Sequence, residues 1–280
     1  MQQNIRRATW LTDIHLNFLW DQDRGAFDPE YHEFVQSVRQ SEPDALLVGG
    51  DIAEAPDLIQ YLGQLEQDLH GCPLYFVLGN HDCYRSSIRA TRQRATEFCS
   101  GRSALHYLSV DDRPVALTQS VALVGHDGWA DGRFGELEWS QAKISDYTYI
   151  DELREAGEDG RRRLLSALGD EAAEHLRKML SQAVEDFPQV ILLTHVPPWL
   201  QVALHRGKVC DLEYAPHFAS RAVGEAILDV MAQAPQCQLT VLCGHTHSPA
   251  EYHPLPNVAA FAGVAEYGQP RVQRVIELAD

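Results

Sequence analysis

The chain has 280 residues, 45% hydrophobic and 22% charged, with a formal net charge of −17 at pH 7. That length suits one large α/β domain or two small ones around a buried core. The acidic balance argues against non-specific binding to nucleic acid or anionic membrane, which calls for basic patches.

The N-terminal stretch carries Arg6 and Arg7 but no apolar run of signal-peptide type. Nowhere do about 18 apolar residues follow one another, so no transmembrane helix is expected. The cysteines are scattered without a Cys-x-x-Cys pair, the pattern of reduced thiols in a cytoplasmic protein. Arg7 to Thr12 reads as a short strand that runs into Asp13-Ile14-His15. Asp28 and Pro29 suit the N-cap and first position of a helix whose apolar stripe is Tyr31, Phe34, Val35 and Val38. Ala45 to Val48 is an uninterrupted apolar run, the mark of a strand buried on both faces, and it ends in Gly49-Gly50-Asp51. A helix with Leu58, Leu62, Leu65 and Leu69 comes next, then a buried strand over 74–78 that ends in Gly79-Asn80-His81-Asp82.

Residues 86–98 read as a polar helix, and 115–117 with 121–124 as a hairpin leading into Gly125-His126-Asp127-Gly128-Trp129. From 131 to 169 the pattern weakens into charge-rich, partly helical sequence, expected as a surface insertion beside the site. Asp170 is placed as the cap of a helix striped by Leu176, Met179, Leu180, Ala183, Val184 and Phe187. The strand Val190 to Leu193 ends in Thr194-His195, and after a helix over 221–232 the strand Leu239 to Leu242 ends in Cys243-Gly244-His245-Thr246-His247. Segments 251–255, 258–261 and 272–276 suggest antiparallel strands finishing a sheet. Without repeats, low-complexity tracts or a linker, residues 1–280 read as a single domain.

Five blocks thus come after apolar runs: Asp13-x-His15, Gly50-Asp51, Gly79-Asn80-His81-Asp82, His195 and Gly244-His245-x-His247. In α/β sheets ligands gather at the carboxyl ends of strands, so blocks distant in sequence can meet in one cleft. Imidazole, carboxylate and amide oxygen are donors for borderline transition metals. Two histidines one residue apart diverge on extended backbone, whereas a turn lets both point at one place. No block is specific alone; the ordered set is.

The set resembles that of the calcineurin-like metallophosphoesterase superfamily, with every block intact between residues 13 and 247. The resemblance implies a four-layer α/β/β/α sandwich of two mixed sheets with a dinuclear metal centre at the strand C-terminal edge. It implies one metal on Asp13, His15, Asp51 and His247 and a second on Asp51, Asn80, His195 and His245, with Asp51 bridging. Such a donor set accepts Mn, Fe, Zn, Ni or Co. Two cations about 3.5–4 Å apart can share a water and lower its pKa, so that a bridging hydroxide attacks phosphorus. The resemblance places His81 against the phosphate and leaving oxygen, as a cation or as a general acid. Asp82 has two readings, orienting His81 or standing as a surface carboxylate. His126 and Asp127 either line the substrate cleft or form a plain turn, and Arg85 is a nearby cation of unknown direction.

The protein serine/threonine phosphatases of the superfamily carry Asp-Arg-Gly shortly after the Gly-Asp block, whereas Ile52-Ala53-Glu54-Ala55-Pro56 holds no arginine. The nuclease branch needs a nucleic-acid surface that the charge balance disfavours. The expected function is therefore metal-dependent hydrolysis of phosphoric esters, as a phosphodiesterase on nucleotide-like or other small phosphates. A phosphomonoesterase on the same site and a non-catalytic interaction module on the same fold are the alternatives.

Overall fold

Apolar alternation along the strands determines how the molecule is layered. In the computed structural model, which describes residues 5–21 and 23–280, the strands are β1 (Arg7–Leu11), β2 (Ala45–Gly49), β3 (Leu74–Val77), β4 (Leu105–Tyr107), β5 (Val115–Ala116), β6 (Val121–His126), β7 (Gln189–Thr194), β8 (Gln238–Cys243), β9 (Ala250–Leu255), β10 (Val258–Ala262) and β11 (Arg274–Glu277). Of the two large sheets one has the order β11-β1-β2-β3-β4 and the other β9-β10-β8-β7-β6-β5, and two short hairpins stand apart from them. Both are mixed: β1 to β4 run parallel with β11 antiparallel at the edge, and β6, β7, β8 and β10 run parallel with β5 and β9 antiparallel outside them.

Successive side chains of a strand face opposite ways, and here each face has its own core. Leu46, Val48, Leu74 and Phe76 pack outward with Phe34, Val38, Leu62 and Leu65 of α1 (Pro29–Gln40) and α2 (Leu58–Asp68). Ala45, Leu47, Tyr75 and Val77 turn the other way and meet Val121, Leu123, Ile191, Leu193 and Leu242 of the second sheet. The outer face of that sheet, with Val124, Leu192 and Val241, is covered by Leu176, Met179, Leu180, Val223 and Ile227 from two more helices. The result is the expected four-layer arrangement of helices, two facing sheets and helices.

Three local expectations change. α3 (Ile88–Cys99) is capped by Ser87, whose Oγ accepts from Ala90 N at 3.0 Å. α4 begins at Gly157 and runs unbroken to Asp186. Asp170 therefore lies inside it and accepts from Arg133 Nη2 at 2.7 Å instead of capping. Leu165 and Leu168 extend the buried stripe toward the N-terminus, but Gly160, Gly169 and the arginine cluster at 161–163 dilute the pattern in the sequence. Of the expected 131–169 insertion, residues 157–169 belong to this helix. The C-terminal strands also divide: β10 is parallel to β8, and β11 crosses to the other sheet beside β1. All six cysteines are free thiols, and among the described residues no helix is long and apolar enough to cross a membrane. α5 (Arg221–Met231) completes the outer layer.

Leu47 is fully buried between the sheets. Leu47→Ala should lower unfolding free energy by about 2–5 kcal/mol, a methylene loss plus a cavity that two facing sheets cannot close. Urea unfolding of the metal-free protein measures it; a loss below about 1 kcal/mol would mean that the sheets are not held by this core.

Candidate metal centre

The strands β1, β2, β3, β7 and β8 each end in one of the five blocks, and at that edge the chain turns sharply. Asp13, His15, Asp51, His245 and His247 all adopt left-handed φ, between 42° and 72°. Asp and His tolerate this region better than branched residues, though at a cost of order 1–3 kcal/mol each. The turns are tied to one another by backbone: Asp13 N donates to Gly50 O at 3.0 Å, His15 N to Asp51 O at 2.9 Å, and Gly244 N to His195 O at 2.9 Å. Two glycines permit the approach. A Cβ on Gly79 would lie 2.1 Å from Asp51 Oδ1, and one on Gly244 would lie 2.1 Å from Asp13 Oδ2.

Asp13, His15, Asp51 and His247 come together with one donor atom each, all within 4.8 Å of one another. His15 Nε2 lies 3.2 Å from His247 Nε2, and His247 Nε2 lies 3.4 Å from Asp13 Oδ1. Around the other oxygen of Asp51, His195 Nε2 is 3.4 Å from Oδ1 and 3.0 Å from Asn80 Oδ1, and His245 Nδ1 is 2.9 Å from the same Asn80 oxygen. All seven sequence candidates for ligands therefore meet, in two groups that share Asp51.

The rear atoms of these side chains are held as metal ligands usually are. Thr12 Oγ1 donates to Asp13 Oδ2 at 2.7 Å. His195 Nδ1 lies 2.9 Å from Gly49 O and His245 Nε2 lies 3.2 Å from His217 O, so each ring donates backward and presents its other nitrogen to the cluster. His15 Nδ1 is buried without a partner among the described residues. Electrostatics point the same way. Burial, then the charges of Asp13 and Asp82, push Asp51 well above the usual carboxylate range. Burial, then the neighbouring charge of His195, takes His245 down to about 3. Burial keeps His15 and His245 neutral, whereas Asp13 raises His247 against its own burial. A buried set of carboxylates, imidazoles and an amide oxygen is donor chemistry that fits divalent transition metals.

The remaining candidates divide. His81 stays at the cluster, with Nε2 4.0 Å from Asp51 Oδ2 and its ring stacked on Tyr84 at 4.2 Å between centroids. Burial, then the charges of His195 and His247, lowers it to about 3. Asp82 does not touch the His81 ring. It is fully buried and accepts from Ile52 N and Ala53 N, both at 2.9 Å, and from Gly79 N at 2.8 Å, so it fastens the Asp51 turn to the Asn80 turn.

His126 and Asp127, read as either cleft wall or plain turn, are likewise buried, and neither lines the cleft. His126 Nδ1 accepts from Gly128 N at 3.1 Å. Asp127 accepts from Leu78 N at 2.8 Å, Arg92 Nε at 2.9 Å, Tyr107 Oη at 2.7 Å and Ser109 Oγ at 2.7 Å, and so clamps the end of β6 to the other sheet. Arg85 is paired with Glu54 at 2.9 Å.

Residues absent from the motifs complete the cleft, about 440 Å³ in front of the cluster, with Tyr84, Lys143, Asp146, Tyr214, Phe218 and Tyr267 in its walls. His217, which belongs to no motif, also lines it. Tyr267 packs on His15 at 4.7 Å and His247 at 5.1 Å. A lone tyrosine or aspartate in irregular sequence carries no spacing signal, so only the fold identifies these residues.

Residues 6–249 match the family model described as calcineurin-like phosphoesterase. No curated protein matches the sequence. Among solved structures the chain is similar to a dimetal phosphatase from Danio rerio, at 12% identity and a TM-score of 0.55 over 94% of this chain and 88% of that one. It is also similar to the protein TT1561 of Thermus thermophilus, at 15% identity and a TM-score of 0.49 over 93% and 89%. At 12% identity the likeness to the first is one of fold.

Asp51→Asn tests the shared position. The variant should take up fewer than two metal ions per chain by elemental analysis and lose most of the thermal stabilisation that added metal confers. Metal-free, it should be at least as stable as the parent, because a buried carboxylate crowded by Asp13 and Asp82 has been neutralised. Two ions at parental affinity would remove Asp51 from the shared position.

Proposed function

The chain belongs to the calcineurin-like phosphoesterase family, and on that premise we propose that it is a phosphodiesterase for small, nucleotide-like phosphate esters, working with two divalent metal ions. The observation that carries this is the convergence of seven donor side chains in two groups sharing Asp51. Asp13, His15, Asp51 and His247 would hold one ion, and Asp51, Asn80, His195 and His245 the other. When bound, the pair supplies Lewis acidity, an activated water and neutralisation of phosphate oxygens.

The protein's own share is orientation and proton handling. His81 is held at the mouth by its stack on Tyr84 and by an edge contact with His15 at 4.7 Å. It stands where an ester oxygen departs, neutral in the free site, and a bound phosphate anion favours its protonated form. The tyrosine and phenylalanine walls suit the flat face of a base or similar group. An intact donor set beside an intact His81 favours an enzyme over a non-catalytic module.

His81→Ala should keep both metals and lose roughly 10²–10⁴-fold in rate on esters with poor leaving groups. The loss should be much smaller for nitrophenyl esters, whose leaving group needs little protonation. Equal losses across leaving groups would leave His81 a phosphate contact without acid function. Retained metal with no hydrolysis of any phosphate ester by the parent protein would favour the interaction module.

A monoester at neutral pH carries close to two negative charges and a diester one, and dianions are bound best by arginine forks. Arg85 is engaged by Glu54, and the cations in the cleft wall, Lys143 and Arg206, are exposed side chains of loops. The expected order of kcat/KM is bis(p-nitrophenyl) phosphate above p-nitrophenyl phosphate with the same metal. The reverse order by about tenfold or more, a difference of roughly 1.4 kcal/mol, would make the protein a monoesterase.

A further inference from the structure

Segment 140–147, irregular in sequence and expected as part of a surface insertion, reaches the second group of donors at two points. Asp146 is buried, and its Oδ1 accepts from Asn80 Nδ2 at 2.9 Å and from Tyr84 Oη at 2.7 Å. Tyr84 Oη also lies 3.3 Å from Asn80 Nδ2. Tyr147 Oη lies 2.6 Å from His217 Nδ1, and Ser140 Oγ lies 2.9 Å from His217 Nε2. The carbonyl of that same His217 receives His245 Nε2 at 3.2 Å. Asn80 is thus held from behind by this segment directly and His245 through His217, whereas Asp13, His15 and His247 have no hydrogen bond to it among the described residues.

We propose that residues 140–147 set the geometry of the second metal position, with Asp146 as the positioning residue that fixes the amide of Asn80. An asparagine presents an oxygen and an amino group of nearly equal shape. Here the oxygen must face His195 and His245, and the amino group must face away. A carboxylate behind the amino group selects that orientation, since the flipped amide would set oxygen against oxygen. It also draws the N–H protons toward itself and leaves Asn80 Oδ1 more electron-rich, as a carboxylate does behind a metal-bound histidine.

Both ends of the segment are held by bonds that do not involve Asp146: Ser140 Oγ donates to Glu213 O at 2.8 Å, and just after the segment Arg85 N donates to Tyr149 O at 2.7 Å and Asp151 N to Ser86 O at 2.9 Å. Its loss should therefore be felt at the metal position rather than in the path of the chain.

The inference rests on the two-metal reading, and the test separates them. Mn²⁺ is titrated into the metal-free full chain by calorimetry, for the parent, Asp146→Leu, Asp146→Asn and Tyr84→Phe. The parent should show two sites. Asp146→Leu should weaken one of them by about 10–100-fold, the usual effect of removing a group that orients a ligand, and leave the other unchanged. kcat for bis(p-nitrophenyl) phosphate should fall, with KM little altered. Asp146→Asn keeps an acceptor for Asn80 Nδ2 and should recover most of the affinity. Tyr84→Phe, a milder change, should give an intermediate loss and serves if Asp146→Leu does not fold, which far-UV circular dichroism reports. Two parental affinities in both Asp146→Leu and Tyr84→Phe would overturn the role of Asp146 while sparing the two-metal reading. A parent protein that binds only one Mn²⁺ would overturn that reading and this inference with it.

Discussion

Buried negative charge is the constraint on which this molecule depends. Asp13, Asp51, Asp82, Asp127 and Asp146 are all buried near one sheet edge, and an unpaired carboxylate in such a place is costly. Two of the five, Asp82 and Asp127, have partners on both oxygens, and Asp146 has two partners on one oxygen. Asp82 takes three backbone amides, Asp127 takes Arg92 with two hydroxyls and an amide, and Asp146 takes an amide and a phenol. Asp13 and Asp51 are different. Each receives one backbone N–H, from His245 and His81 respectively, and Asp13 also the Thr12 hydroxyl, while the remaining neighbours of both are imidazoles. Among the described residues no lysine or arginine pairs with either of them, only histidines, which is why the cluster suits cations.

Holding such a cluster requires turns that the chain does not adopt freely. Left-handed φ at five residues that carry functional side chains stores several kcal/mol of strain at order-of-magnitude level. The two facing sheets supply the restraint. Their shared core ends directly beneath the turns, and the Asp127 clamp ties β6 to the end of β3 one residue before Gly79. Packing, backbone strain and ligand geometry are therefore linked, and the turns that hold the donors cannot relax without opening the space between the sheets.

Much of this was legible because strand and motif share one grammar. Ala45 to Val48, Leu74 to Leu78 and Val190 to Leu193 announce buried strands by continuous apolarity, and each strand leads into a polar turn with donor side chains. Periodicity also marked α1 and α2. It found the second half of α4 but missed the first, where a solvated arginine cluster and two glycines masked a stripe that continues through Leu165. It also could not assign β10 and β11 to different sheets, since strand direction leaves no mark on alternation. In the site, ligand types were legible from the blocks, but the work of Asp82 and Asp127 was not. A carboxylate that binds a ligand and one that fastens two loops stand after the same strands and look alike until their partners are known. Asp146, Tyr84, His217 and Tyr267 had no pattern at all, because residues behind or across from a site are placed by tertiary folding alone.

The choice of an amide at position 80 obeys the same charge logic. A carboxylate there would put a third anionic donor beside Asp13 and Asp51, and burial already raises Asp51 in their company. An amide gives an oxygen donor without that repulsion, but a weaker one. With Asp146 placed behind it, the negative charge sits one hydrogen bond farther from the cluster, where the Tyr84 phenol and the Asn80 amide share it. The donor then gains polarisation while the repulsion with Asp51 falls with distance. Charge at one remove thus does for Asn80 what the backward hydrogen bonds to Gly49 and His217 carbonyls do for His195 and His245: each fixes which atom faces inward and raises its basicity.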